Sequence, residues 1–256
     1  MISLSLATAP YHALTYLDAA AGGGCVRKEL PFLRGQVRGL PPGAPALVAM
    51  ADLQGRTRTG PAPETLVGCA VAAALPAIHT AAGLPAPHAC VGLLAGDFYT
   101  VPDAARRGGT GDVTAVWQHT AGCFRSRVGV RGNHDLFSAP PPECLDGGWV
   151  DVAGLRIAGV SGIIGQPTRE NRHRADDFAA LLARVIAGRP HVLILHPSPC
   201  IDATHRGDDV VRQTLERLDY AGLVITGHLH WPQRVQTVGR ATVLNVHEAV
   251  VTLEMF

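Results

Sequence analysis

Apolar runs separated by polar, glycine-rich breaks recur along the chain from residue 45 onward. Runs this short, rich in Val, Ile and Leu and bounded by turn residues, read as buried strands. They are PALVAMA (45–51), CVGLLAG (90–96), RVGVRG (127–132), GLRIAGVSG (154–162), HVLILH (191–196), LVITG (223–227), ATVLNV (241–246) and VVTLEM (250–255). Helical spacing appears between them, over 63–83, 175–188 and 208–222. The second of these carries Asp176 and Asp177 in its first turn and ends in Gly188, an acidic start and a glycine stop. Alternation of this kind predicts an α/β protein. Residues 1–44, with AGGG and LPPGAP, read as an N-terminal extension (a strand with room for a helix) packed on a main domain at 45–256. The segments 99–112 and 138–147 read as irregular loops. No internal repeat is visible.

Composition narrows the class. Hydrophobic residues make up 47% of the 256 and charged residues 17%, enough to bury a real core. A net charge of +1 offers no broad footprint for nucleic acid or an anionic membrane. Six scattered cysteines without a CxxC pair predict neither a disulfide framework nor a thiolate zinc site. The N-terminus lacks a basic segment followed by a sustained apolar one, and no run reaches the roughly 18 residues of a membrane span. The expectation is a soluble cytoplasmic protein.

The chemistry lies where the runs end. Asp52 closes one in ADLQG, Asp97 in AGDFYT, Asn133-His134-Asp135 in RGNHDLF, His196 in LILHPSP, and His228 with His230 in TGHLHWP. Polar groups at the same edge of several strands can converge, as active-site groups do in α/β folds. Carboxylates, a carboxamide and histidines suit divalent first-row metals. The set is too large for one tetrahedral ion and suits two, about 3.5–4 Å apart, that clamp both oxygens of a phosphoryl displacement.

The order DxQ, GD, GNHD, lone His, GHLH resembles the calcineurin-like metallophosphoesterase superfamily, whose pattern is DxH, GDxxD or a GD variant, GNH[DE], His, GHxH. The resemblance spans residues 46 to about 231. It implies a four-layer double β-sandwich flanked by helices, with two divalent ions at the sheet edge. Asp52 and His230 would hold the first, Asp97 would bridge, and Asn133, His196 and His228 would hold the second. His134 would act as general acid, oriented by Asp135, while a hydroxide bridging the metals attacks phosphorus. Two positions depart from the pattern. Thr100 stands where a second carboxylate often sits, with Asp103 following. Gln54 occupies the histidine slot of the first motif. It could ligate through oxygen and favour manganese, orient a water, or mark a vacant first site. The manganese-dependent ADP-ribose/CDP-alcohol diphosphatase branch looks similar in carrying Gln at this slot.

Each residue also has a plainer role to weigh. Asp52 could cap a helix, Asn133 could turn the chain, and His196 could be a satisfied core histidine. The ordered set favours ligation for all three. His12, His79, His88, His119, His191, His205 and His247 lack ligand spacing and are expected on the surface or in packing. GGTGD, ending at Asp112, lacks the lysine of a phosphate loop. Arg169, Arg172, His173 and Arg174 crowd one loop; they suit phosphate oxygens, or else form a solvated lead-in to the helix at 175. Arg56 could reach the same phosphate or a surface acid. Phe98, Tyr99 and Trp231 could line a pocket or pack in the core.

The resulting expectation is a hydrolase of a phosphomonoester, phosphodiester or nucleotide pyrophosphate. It would use two ions, manganese foremost (iron, zinc, nickel and cobalt being alternatives), on a small nucleotide-like substrate. A catalytically silent scaffold of the same fold and a nuclease acting on nucleic-acid ends are the competing readings.

Overall fold

A computed structural model describes residues 2–57, 65–104 and 108–256, with the Asp103 side chain left out. Part of the expected first helix, residues 63–64, and part of the loop at 99–112, residues 105–107, lie outside the described residues.

All eight apolar runs form strands, and they belong to two large sheets in a mixed α/β architecture. In the first sheet Ala46–Ala51, Val91–Leu94 and Ser126–Gly129 lie parallel, side by side. In the second, Leu155–Val160, Val192–Leu195, Leu223–Thr226 and Ala241–Asn245 are parallel in that order. Antiparallel strands Gly148–Val152 and Val235–Val238 close its edges. Central parallel strands are covered on both faces, which is why they read as unbroken apolar runs: every residue of Ala46–Ala51 is buried.

Residues 3–38 correct the expected extension. They form three strands and no helix: Ser3–Leu6, His12–Ala19 and Cys25–Arg38. The last pairs with Ala249–Met255, which in turn pairs with Ala46–Ala51, so the start and end of the chain meet inside the first sheet. The strand hid because exposed Arg34, Gln36 and Arg38 alternate with its inward-facing residues, a half-buried pattern unlike the central runs.

Four helices are described: α1 (Val67–Ala82), α2 (Thr114–Cys123), α3 (Ala175–Ala187) and α4 (Asp209–Arg217). α3 has the expected acidic first turn and stops at Gly188. α4 is capped by Asp208, whose carboxylate accepts the Val210 N–H, and ends earlier than expected. α2 was not expected, because threonines and a glycine dilute its apolar stripe of Val116, Trp117 and Cys123.

Period-two alternation sends each central strand's side chains to two different cores. One core joins the sheets, with Leu47, Ala49, Leu93 and Val251 against Ile157, Ile194, Ile225 and Leu244. Val48, Met50 and Leu94 turn the other way, under Val71, Leu75 and Trp117 of α1 and α2. Leu193, Val224 and Val243 pack beneath Phe178, Leu182 and Leu215 of α3 and α4. Each fully buried aliphatic side chain of this size contributes roughly 1.5–3 kcal/mol. Phe98 and Trp231 are buried members of these cores, and the Trp231 indole donates to the Arg206 carbonyl at 2.8 Å. Both therefore take the packing role; Tyr99 packs partly buried beside Phe98's cluster. Among the described residues no helix is long and apolar enough to cross a membrane.

Candidate metal centre

Three of the polar strand ends leave their sheets through a left-handed turn. Asp52, Asp97 and His228 have φ of 56°, 60° and 68°. Non-glycine residues adopt this region seldom and at a cost on the order of 1 kcal/mol; six other described residues, Ala104 and Glu248 among them, share it, and at these three tips it turns the chain sharply where the strand ends. The glycines beside the polar residues make room for carboxylates. A Cβ on Gly132 would lie 1.9 Å from Asp97 Oδ1, and one on Gly227 2.4 Å from Asp52 Oδ2.

Asp97, His196 and His228 bring three donor atoms within 4.8 Å of one another, from ends of both sheets. His196 is wholly buried, and its Nδ1–H donates to the Ala95 carbonyl at 2.7 Å. That bond turns Nε2 toward Asp97 Oδ2, 3.1 Å away but outside hydrogen-bond geometry. The Asn133 Oδ1 and His196 Nε2 atoms are buried without a hydrogen-bond partner. Buried polar atoms are rarely left so, because each unmet group costs about 1–3 kcal/mol. A carboxamide oxygen and an imidazole nitrogen beside a carboxylate are donors that could hold a metal ion.

The electrostatics agree. Burial opposes charge on Asp97, yet the imidazoles of His196 and His134 hold its carboxylate below the ordinary range. Burial likewise opposes protonation of His196, but Asp97, and beyond it Asp52, pull it up to about 10. Burial, with the charge of His196, lowers His228 to about 4. Positive charge is thus favoured on the Asp97–His196 pair, while His228 is held neutral, the form in which an imidazole ligates.

Asp135 corrects an expectation. It does not orient His134. Its buried carboxylate accepts main-chain N–H groups from Asp97 and Phe98, both at 2.7 Å, from Gly132 at 3.0 Å and from Tyr99 at 3.3 Å. It staples the GD loop to the GNHD loop. Burial and the Asp97 charge raise its pKa, and the Gly132 and Phe98 N–H groups oppose that rise. His134 is instead fixed by Gly109, whose carbonyl accepts Nδ1–H at 2.9 Å. Its Nε2 then lies 4.0 Å from Asp97 Oδ2, with the side chain 22% exposed and open to an incoming group.

Asp52, 5% exposed, accepts the His228 N–H at 2.8 Å. Beside it stands a residue expected on the surface or in packing: His247 Nδ1 is 3.2 Å from Asp52 Oδ2, buried and without a hydrogen bond. One signal could have found it. NVHEA interrupts two apolar runs with a polar pair, as the other strand ends do. Gln54 is half-buried, and His230 is exposed, its ring centre 6.3 Å from that of His247. His79, by contrast, is a satisfied core histidine, bonded to the Pro85 carbonyl and Thr252 Oγ1.

Beside the GNHD loop, a polar cleft of about 280 Å³ is lined by Arg131, Asp146, Ser161 and the segment 167–173. Asn171 ties this segment to the GNHD loop, its Nδ2 donating to the Asp135 carbonyl at 2.5 Å. Arg169 and Arg172 face the cleft, whereas Arg174 sits exposed at the start of α3 and does not line it. Arg56 is engaged elsewhere. Its Nε and Nη2 donate to the carbonyls of Val101 and Thr100, at 3.0 and 2.9 Å, latching the loop after Asp97.

No protein-family model matches the chain. No curated protein matches it either. Among solved structures it is similar to the crystal structure of TT1561 of Thermus thermophilus, with TM-score 0.53 and 16% identity over 78% of this chain and 88% of that one. A second solved structure matches with TM-score 0.53 and 14% identity, over 79% of this chain and 90% of its own. At such identity the likeness concerns the fold alone.

Proposed function

We propose that the chain is a binuclear metal-dependent phosphoesterase of the calcineurin-like type, its two sheets and flanking helices forming that family's four-layer double β-sandwich. The observation that carries the proposal is the convergence of Asp97, His196 and His228 beside the unpartnered Asn133 Oδ1 and His196 Nε2. Asn133, His196 and His228 would hold one ion, Asp97 would bridge, and Asp52 with His230 would contribute to the other. Two divalent ions supply Lewis acidity toward a phosphoryl oxygen and make a water nucleophilic near neutral pH.

The chain's own groups do the rest. The Gly109 carbonyl holds His134 Nδ1–H, so Nε2 carries the mobile proton. In its protonated form Nε2 donates to the leaving oxygen, the step expected of a general acid. The Arg169 and Arg172 forks in the adjoining cleft would receive the remainder of a small, nucleotide-like substrate, favouring a phosphodiester or pyrophosphate linkage over a simple monoester.

Hydrolysis of bis-p-nitrophenyl phosphate, p-nitrophenyl phosphate, ADP-ribose and cyclic nucleotides should be measured with Mn²⁺, Zn²⁺ or Mg²⁺, and after chelation. Manganese-supported turnover that chelation abolishes is expected. Turnover indifferent to chelation, or none with any metal, would overturn the proposal.

A further inference from the structure

Gln54 leaves the first ion position short of an imidazole, and the tertiary structure brings one from the other end of the chain. We infer that His247 is a ligand of the first metal ion, supplying beside Asp52 the imidazole that Gln54 does not. The inference rests on the binuclear reading above.

The main-chain arrangement places the residue. His247 pairs with Ala51 in an isolated parallel bridge, so it lies against the residue preceding Asp52. Its N–H donates to Asn245 Oδ1 at 3.1 Å and its carbonyl accepts Arg234 Nη1 at 2.8 Å, fixing the backbone from both sides. The side chain then sets Nδ1 3.2 Å from Asp52 Oδ2. Two donors bound to one ion at about 2.0–2.2 Å lie about 2.8–3.6 Å apart between right-angle and tetrahedral geometry. The Asp52–His247 separation falls in that window.

Hydrogen bonding describes the contact poorly. Nδ1 is buried and makes no hydrogen bond, although a carboxylate oxygen is within reach. That same oxygen already accepts the His228 N–H. An ion seated between nitrogen and oxygen satisfies both atoms without requiring the N–H···O alignment that is missing. His230 would remain a contributor to that ion, and Gln54 a flanking group.

The test uses the full chain, stripped with chelator and titrated with Mn²⁺ by calorimetry and elemental analysis. Wild type is expected to take up two ions. His247→Ala should weaken one ion by more than about 100-fold and spare the other, exceeding the 10–100-fold typical of a partner that merely orients a ligand. Gln54→Ala should shift either affinity less than about threefold, the loss of a weak neutral oxygen donor. Pulsed electron paramagnetic resonance at saturating Mn²⁺ should show one histidine nitrogen coupling fewer in His247→Ala. An unchanged nitrogen count, or loss of the first ion in Gln54→Ala and not in His247→Ala, overturns the assignment. If His247→Ala fails to fold, nitrogen NMR of wild type decides: Zn²⁺ should move the His247 Nδ1 resonance, and an unmoved resonance refutes ligation. Because every readout is metal binding, a chain that binds two ions through His247 but hydrolyses nothing would sink the proposed function and leave this assignment standing.

Discussion

Asp52 Oδ2 accepts the main-chain N–H of His228 at 2.8 Å, joining the tip of one sheet to the tip of the other. The carboxylate fits because Gly227 has no side chain; a Cβ there would lie 2.4 Å from the same oxygen and 2.6 Å from Ala51 Cβ. Gly227→Ala is therefore expected to displace Asp52, abolish binding of one ion and destabilise the chain by about 1–3 kcal/mol, as overpacking does. Gly122→Ala, within α2 and facing open space, is the control. It should be neutral or stabilising by up to about 1 kcal/mol. Equal behaviour of the two variants in urea unfolding and metal counting would remove the steric argument.

Neighbours in the GNHD motif should separate cleanly. Asp135→Asn replaces a buried acceptor of four main-chain N–H groups with a side chain carrying an NH₂, and should cost about 3 kcal/mol or more. His134→Ala breaks a single bond at a partly exposed position and should cost less than about 1 kcal/mol. It should instead slow turnover of substrates with poor leaving groups about 10²–10⁴-fold while metal content stays the same. Denaturant unfolding beside steady-state kinetics checks both. An Asp135→Asn variant of normal stability that loses only the acid limb of the pH profile would restore Asp135 to orienting His134.

The arginines should divide in the same way. Arg172→Ala, in the cleft, should raise KM for a nucleotide substrate and leave the melting temperature near wild type. Arg56→Ala loses two bonds to the Thr100 and Val101 carbonyls and should lower stability by about 1–2 kcal/mol. A KM effect confined to Arg56 would reverse the assignment.

His79 makes stability depend on pH. Burial lowers its pKa from the ordinary 6.5, against the raising influence of the Pro85 carbonyl. Between the folded and unfolded values the unfolded chain binds more protons, so stability falls as pH drops. The contribution is whole above about 6.5, is lost on descent from there to the depressed folded pKa, and is flat below. His79→Gln should flatten that part of the difference curve in urea unfolding from about pH 5 to 8, the range in which histidine titrates. A slope identical to wild type would mean His79 carries none of it.

Much of this was legible in one dimension. A central parallel strand is apolar throughout, and its exit needs a turn and a polar tip, so the buried runs and the polar residues that end five of them announce themselves locally. Cys25–Arg38 did not, because its alternating face resembles ordinary half-exposed sequence. α2 did not, because so short a helix is held by packing more than by its own pattern.

Which strand tips meet is a different matter. The sequence by itself determined where the chain delivers Asp52, Asp97, Asn133, His196 and His228, since run, glycine and polar residue are contiguous. The tertiary structure alone decided that Asp135 serves the backbone, that Gly109 holds His134, that Arg56 latches a loop, and that His247 stands beside Asp52. The physical reason is range. Turn formation and burial act over a few residues, whereas the contact between Asp52 and His247 exists only because Ala249–Met255 is inserted beside Ala46–Ala51.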